Sequence, residues 1–280
     1  MNNIIGLYRR RMMMAALGSG IDVAAMTIQG SCTFTDYGVV TMSDGNNYRL
    51  VAITGSGNIV FASAVNCEVC VVGGGANGSD GSIALDVGGG AGAYLKNQVI
   101  EAFEGGPVVV GAAQGASSIG GVSAAAVSGK NGGTGGGNEG AGDGLSKYPF
   151  GDDSYELWAG KPHCAGGGAG GTSIRTGVSS SGADRWDSYS YGNGGTNGDN
   201  GGAQTFKERG GTENAPGGSG GLYGGGKGGN AASPNNTGAN ATYYGSGGGA
   251  GGYYAYYDAD IGNGGSGYQG IVYIRIPVIQ

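Results

Sequence analysis

The sequence predicts an all-β protein: β-sandwich-like strands that enclose a long glycine-rich insertion, packed as extended threefold helices with projecting loops. Three observations predict it. Glycine supplies 70 of 280 residues, against a usual share of about 7%. Short segments rich in β-formers, separated by turn residues, fill residues 31–128. An ordinary strand pattern, GIVYIRIPV, returns at 270–278 once the glycine tract ends.

Residues 1–30 read as an arm. MNNIIGLYRRRMMMAALGSG sets Arg9, Arg10 and Arg11 ahead of Met12, Met13 and Met14. The apolar stretch behind the arginines is short for a secretory signal. A twin-arginine export signal and a frayed terminus are further alternatives. The preferred reading is a docking peptide, whose methionines pack adaptably into a partner.

Five strands are expected in the β region: NYRLVAIT (47–54), GNIVFAS (57–63), CEVCVVG (67–73), AYLKNQVI (93–100) and PVVVGA (107–112). The GSG between the first two reads as a hairpin-like turn. Their spacing suits a sandwich. Cys67 and Cys70 form a C-x-x-C, but residues three apart on a strand face opposite sides. They read as small buried hydrophobes rather than ligands of one metal. In the closing strand, within residues 270–280, Val272, Ile274 and Ile276 share an aliphatic face and belong to the core. Arg275, on the other face with Ile271 and Tyr273, predicts water nearby. This strand is expected to return and pair with the first ones, holding the insertion at both ends.

The glycine field spans residues 129–269. Ordering each glycine costs roughly 0.5–1 kcal/mol more than ordering an alanine, so the field needs a structure that only glycine allows. Collagen is excluded, because runs such as GGSGGLYGGGKGG (217–229) break its register and the chain has six prolines. Trp158, Trp186 and the many tyrosines argue against a solvated tether. Glycine runs of polyproline-II geometry fit better. Their outward N–H and C=O groups can bond to neighbouring helices that approach closely, and so satisfy one another.

Charged residues make up 12% of the chain and the net charge is −6, which argues against a nucleic-acid partner. No apolar run approaches the roughly 18 residues of a membrane span. His163 is the sole histidine, and no G-x-S-x-G motif accompanies it in a strand-to-helix setting. Neighbouring His163 and Cys164 would point oppositely on a strand. Asp152 with Asp153, and Asp258 with Asp260, offer oxygen ligands for Ca²⁺, but two carboxylates are too few to make a site. No metal or cofactor is expected, and the chain does not read as an enzyme.

Islands interrupt the glycine field. They carry Tyr148, Tyr155 and Trp158 (145–164), Trp186, Tyr189 and Tyr191 (184–193), Tyr243 and Tyr244 (242–245), and Tyr253, Tyr254, Tyr256 and Tyr257 (253–260). A further island, FKERGGTEN, fills 206–214. Tyrosine and tryptophan give large rigid contact area with one polar handle. Beside carboxylates they also suit sugar rings. These islands are candidate recognition loops; the alternative is that the aromatics pack on the glycine slab or at subunit contacts.

VVGGGANGSDGS after a strand, then GGGAGAYLK, PVVVGAAQGASSIGG, repeated GGGAGG blocks and GGSGYQGIVYIRIP form an ordered series. The series resembles the glycine-rich domain of phage tail-fibre tips and adhesins over roughly residues 48–280. That resemblance implies a slab of packed polyglycine-II helices, with loops projecting at one end to bind a bacterial surface glycan or outer-membrane protein. It implies a place on the virion surface, with the arm docking to other virion proteins, and a homo-oligomer, taken from fibres as a trimer. YRRRMMMA is similar to the start of some virion proteins of phages that infect gut Bacteroidetes. A head fibre or capsid decoration protein without a receptor is the structural alternative, and a glycan-trimming enzyme with a carboxylate pair is a third.

Overall fold

The computed structural model describes residues 22–23, 26–81, 89–90, 92–125, 148–165, 167, 171–178, 184–190, 220, 223–230, 237–255 and 259–278. The chain is all-β, and its described residues hold no α-helix. Among the described residues twelve strands form in chain order: β1 (Ile28–Gly30), β2 (Phe34–Thr41), β3 (Asn47–Ile53), β4 (Gly57–Val72), β5 (Leu95–Val109), β6 (Ser117–Ile119), β7 (Val122–Ala124), β8 (Gly171–Val178), β9 (Asp184–Ser190), β10 (Tyr253–Ala255), β11 (Ala259–Ile261) and β12 (Ile271–Pro277).

The first seven strands and β12 make one antiparallel sheet, ordered β2-β3-β12-β4-β5-β6-β7, with β1 on the early part of β4. The last strand does pair with the first ones. It enters between β3 and β4, setting Ile274 beside Val51 and Val69. The GSG at 55–57 is therefore no hairpin turn, because β3 and β4 do not pair with each other. Both faces of β12 are buried, and a slot between two strands is the one place that also satisfies both of its hydrogen-bonding edges.

Longer strands replace the short ones expected at 57–73 and 93–112. β4 and β5 run beside each other for almost their full lengths, with register shifts between Val60 and Cys67. Ala102 (φ 47°) and Gly105 (φ 115°) absorb the irregularity on β5. A bulge increases local bend and twist, so this break keeps the strands continuous while the sheet folds over. β6 then lies against β12 without pairing to it. One core lies on one face of the sheet, from Val51, Ile53, Cys67, Val69, Val272, Ile274 and Ile276 to Ile59, Phe103, Ile119 and Val122. Cys67 faces this core, whereas Cys70 faces a second one with Leu50, Ala52, Leu95, Trp158 and Tyr273. The C-x-x-C is thus split across the sheet, as alternation requires. Burial pushes the Cys67 thiol up to about 12, with Glu68 adding to the shift.

Arg275 corrects an expectation. It lies in no wet face: it is 7% exposed, its guanidinium 4.7 Å from the Tyr48 ring and 4.5 Å from the Phe150 ring. Nη2 and Nε donate to Glu68 Oε2 at 2.6 and 2.9 Å. Water is displaced because the segment around Phe150 and Trp158 folds over this face of the sheet. Arg49 plays a similar part on β3. It pairs with Asp36 at 2.6 Å and donates to the carbonyls of Val23 and Met26, tying the chain before β1 to the sheet.

At one end of the sheet, Ile271, Val72 and Leu95 stand side by side. Beyond this seam the two-residue repeat of the strands gives way to hydrogen bonds stepping by three residues. Gly75, Gly78 and Gly81 donate to the carbonyls of Tyr268, Gly265 and Gly262. Gly262, Gly265 and Tyr268 donate in turn to Gly252, Gly249 and Ser246, and Gly248 and Gly251 donate back to Ala76 and Ser79. All of these bonds measure 2.7–3.0 Å. The run 245–252, buried throughout, also bonds to Gly90, Ala93, Ala165, Gly226, Gly229, Ala239 and Gln269. A Cβ on Gly78 would lie 2.0 Å from the Gly249 carbonyl oxygen, and one on Gly251 would lie 1.9 Å from that of Gly262. Segment 75–81, with Gly90 and Ala93, lies between β4 and β5 and belongs to this array together with the later runs.

A second sheet, ordered β11-β10-β8-β9, forms from residues within the glycine field. β10 and β11 are antiparallel, β10 and β8 parallel, β8 and β9 antiparallel. The islands at 184–193 and 253–260 thus supply strands rather than only loops. Their content of Tyr and Trp suits a pleated surface better than a turn.

Two measurements test this account. Gly251→Ala is expected to cost about 3 kcal/mol or more, because the methyl group meets backbone that cannot withdraw, whereas Ser266→Ala, at an exposed array position, should stay within about 0.5 kcal/mol. Urea denaturation followed by circular dichroism reads both. Arg275→Met should cost about 3–5 kcal/mol by stranding Glu68, and adding Glu68→Gln should recover part of that loss in the same assay.

Candidate functional site: an aromatic column from core to surface

The segment PFGDDSYELWAGK (149–161) builds the inner part of the site. A short 3₁₀ turn, Pro149–Gly151, carries Phe150 at φ 59°. Asp152 closes the turn that follows. Its Oδ1 accepts from the N–H groups of Ser154 and Tyr155 at 3.2 and 3.1 Å, and its Oδ2 accepts from the Ser43 N–H at 3.2 Å. Burial pushes this carboxyl up, but those hydrogen bonds outweigh it and hold the group below its ordinary value. Both oxygens are therefore committed to backbone donors. Among the described residues no three of His, Cys, Asp and Glu gather.

Trp158 is the pivot. Its indole N–H donates to the Asp152 carbonyl, its backbone N–H to Tyr155 O at 3.1 Å, and its carbonyl accepts from Lys161 N–H at 2.9 Å. Its ring meets Tyr155 edge-on at 4.8 Å, Phe150 at 6.1 Å and Tyr273 edge-on at 5.4 Å. Tyr273 Oη lies 3.1 Å from His163 Nε2. The His163 ring in turn sits 4.9 Å from Tyr243 and stacks on Tyr244 at 6.2 Å, 16° from parallel. Tyr243 meets Tyr223 edge-on at 4.7 Å, and Tyr244 meets Tyr268 at 5.6 Å. Rings thus run without a gap from Phe150, against Arg275, to Tyr223, which is 43% exposed.

Electrostatics keep the column neutral. Burial lowers the His163 imidazole to about 3, and its Nδ1 has no hydrogen-bond partner. Burial also raises the Tyr243 and Tyr244 hydroxyls, with neighbouring tyrosines adding to the effect. The Tyr243 and Tyr244 phenols therefore keep their protons in the neutral range and can both donate and accept. His163 is fully buried, so it has no direct route to a substrate. Cys164, also buried, follows it at φ 64°.

The expected contact residues divide. Trp158 (0% exposed), Tyr155 (8%) and Tyr253 (7%) are corrected to interior packing residues, because the turn around Asp152 and the array close over them. Tyr148 is partly buried against the second core. Tyr243 and Tyr244 are half-buried and stand together at the outer part of the column. Trp186 and Tyr189 lie on β9 and Tyr254 on β10. Tyr191, Tyr256, Tyr257 and Asp258 lie outside the described residues, as do Arg9, Arg10, Arg11, Met12, Met13 and Met14. Sequence reasoning missed Tyr223 and Tyr268. Each stands alone inside a glycine block, in LYGGGKGG and GGSGYQG, and a bulky residue isolated in such a block was the available signal.

His163 sets a pH dependence. The unfolded imidazole takes its proton near 6.5 and the folded one only near 3. Between these values the unfolded state binds more protons, so stability falls as pH falls, by about 1.4 kcal/mol per pH unit. Melting temperatures from pH 7 to 4.5 should show this slope in the native chain and lose it in His163→Gln.

No protein-family model matches the chain, and neither a curated protein nor a solved structure matches it.

Proposed function

We propose that the chain is a phage virion surface protein, a fibre or adhesin, that binds a bacterial surface glycan or outer-membrane protein. Its aromatic groups would stand on a polyglycine-II slab. The observation that carries this reading is the three-residue step of the hydrogen bonds among runs 75–81, 246–252 and 262–268. Three residues per turn is the repeat of the polyproline-II helix. The same runs carry the ordered blocks that resemble fibre-tip adhesins. In this reading the arm at 1–30 docks to other virion proteins, the chain forms homo-oligomers, as a trimer by analogy with fibres, and repeated weak contacts add by avidity. It acts outside the host cell, without catalysis or cofactor.

A second reading is a head fibre or capsid decoration protein with no dedicated receptor. The burial of Trp158, Tyr155 and Tyr253 favours it, since those rings serve the fold.

Binding of labelled purified protein to a panel of host bacteria separates the two. The adhesin reading expects strain-restricted binding, reduced at least tenfold when Tyr254, Tyr256 and Tyr257 are changed to Ser or when Tyr243 and Tyr244 are changed to Ser. Absence of binding to every strain that the phage infects, with virion incorporation lost on deletion of residues 1–21, would overturn it in favour of the structural reading.

A further inference from the structure

We propose that Tyr223, Tyr243, Tyr244 and Tyr268, with Lys161 at the outer end, form a glycan platform selective for a sugar that bears a carboxylate. The proposal rests on the adhesin reading and gives its ligand class.

The four rings come from three separate glycine-rich segments, 223–230, 237–244 and 262–270, yet they meet in one file at 4.7, 5.4 and 5.6 Å. The rings are inclined to one another by 89°, 54° and 72°, so the file offers ring edges and faces in turn rather than one continuous plane. Tyr223 is 43% exposed and the other three are half-buried. Tyr223 therefore presents ring surface to solvent, on a base formed by the other three.

That base is built at some conformational cost. Tyr223 holds φ 57°, a left-handed conformation unfavourable to a side chain. Gly224 follows at φ 102°, where a Cβ would lie 2.3 Å from the Tyr243 Cβ. The Thr242 N–H donates to the Gly224 carbonyl at 2.8 Å, seating the turn on Tyr243. Strain held by its surroundings is typical of ligand-contacting positions. Behind the file, neutral His163 packs on Tyr243 and Tyr244 and fixes their rings.

Hexopyranose rings offer C–H faces for stacking and hydroxyls for the phenols. Lys161 adds the selective element. Its Nζ lies 6.0 Å from the Tyr223 centroid, and its backbone is held by Trp158. An ammonium at the end of an uncharged file favours a carboxylate there over a neutral sugar.

The test applies the full chain to an immobilised array of bacterial oligosaccharides, hexuronate-bearing and neutral. The expected result is preferential binding to the hexuronate-bearing members. Tyr223→Ser should weaken all binding at least tenfold. Lys161→Met should abolish the preference and retain neutral binding, and both variants should stay folded, with Tyr223→Ser lowering the melting temperature only slightly through the lost contact with Tyr243. Binding to no hexuronate member, or binding that Tyr223→Ser leaves intact, overturns the platform. The bacterial panel keeps the two failures apart: strain-restricted binding retained by Tyr223→Ser sinks the platform and leaves the adhesin reading. Array binding without binding to any host strain does the reverse.

Discussion

A backbone amide taken out of water must find another partner, and a glycine run has nothing else with which to hold a fold together. Leaving such a group unpaired costs about 1–3 kcal/mol. The cyclic donation among runs 75–81, 246–252 and 262–268 answers that constraint with backbone alone. It works only because no Cβ intervenes, as a Cβ on Gly78 or Gly251 would come within 2.0 Å of a facing carbonyl oxygen. What a packed core does for an ordinary domain by excluding water from side chains, this array does by pairing main chain. The sheet supplies the fixed end, since β4, β5 and β12 all reach the array at the seam of Val72, Leu95 and Ile271.

Much of the fold was legible because strands announce themselves by alternation. The opposite faces of Cys67 and Cys70, and the return of β12 to the early strands, both follow from a period of two. Less legible were features set by tertiary contact. Nothing local to GSG says that a strand more than two hundred residues later will enter beside it. The fusion of 57–63 with 67–73 into β4 depends on a bulge paired to β5, and a bulge has no strong sequence signature of its own. Arg275 misled because a charged residue reads as wet until its partners, Glu68, Tyr48 and Phe150, are seen around it.

The aromatic residues show the same limit from another side. Composition identified tyrosine and tryptophan as meaningful but could not divide interior from surface. Trp158 is buried because the Asp152 turn folds it under, which is a geometric event spread over six residues. Tyr223 and Tyr268 escaped notice because the rings that give each its meaning lie on other runs.

The lateness of β12 has a consequence for how the molecule is made. Neither the slot between β3 and β4 nor the triangle of glycine runs can close until residues 262–277 have been synthesised. For most of translation the facing edges of β3 and β4 stay open, and segment 75–81 has no carbonyls to bond. Closure joins segments almost two hundred positions apart, and contacts of such separation form slowly. Open edges in that interval invite pairing with a neighbouring chain. Nascent copies on one message would thus be held in a state where association through open edges competes with closure, and a trans-acting holdase or a slow initiation rate would favour closure within each chain.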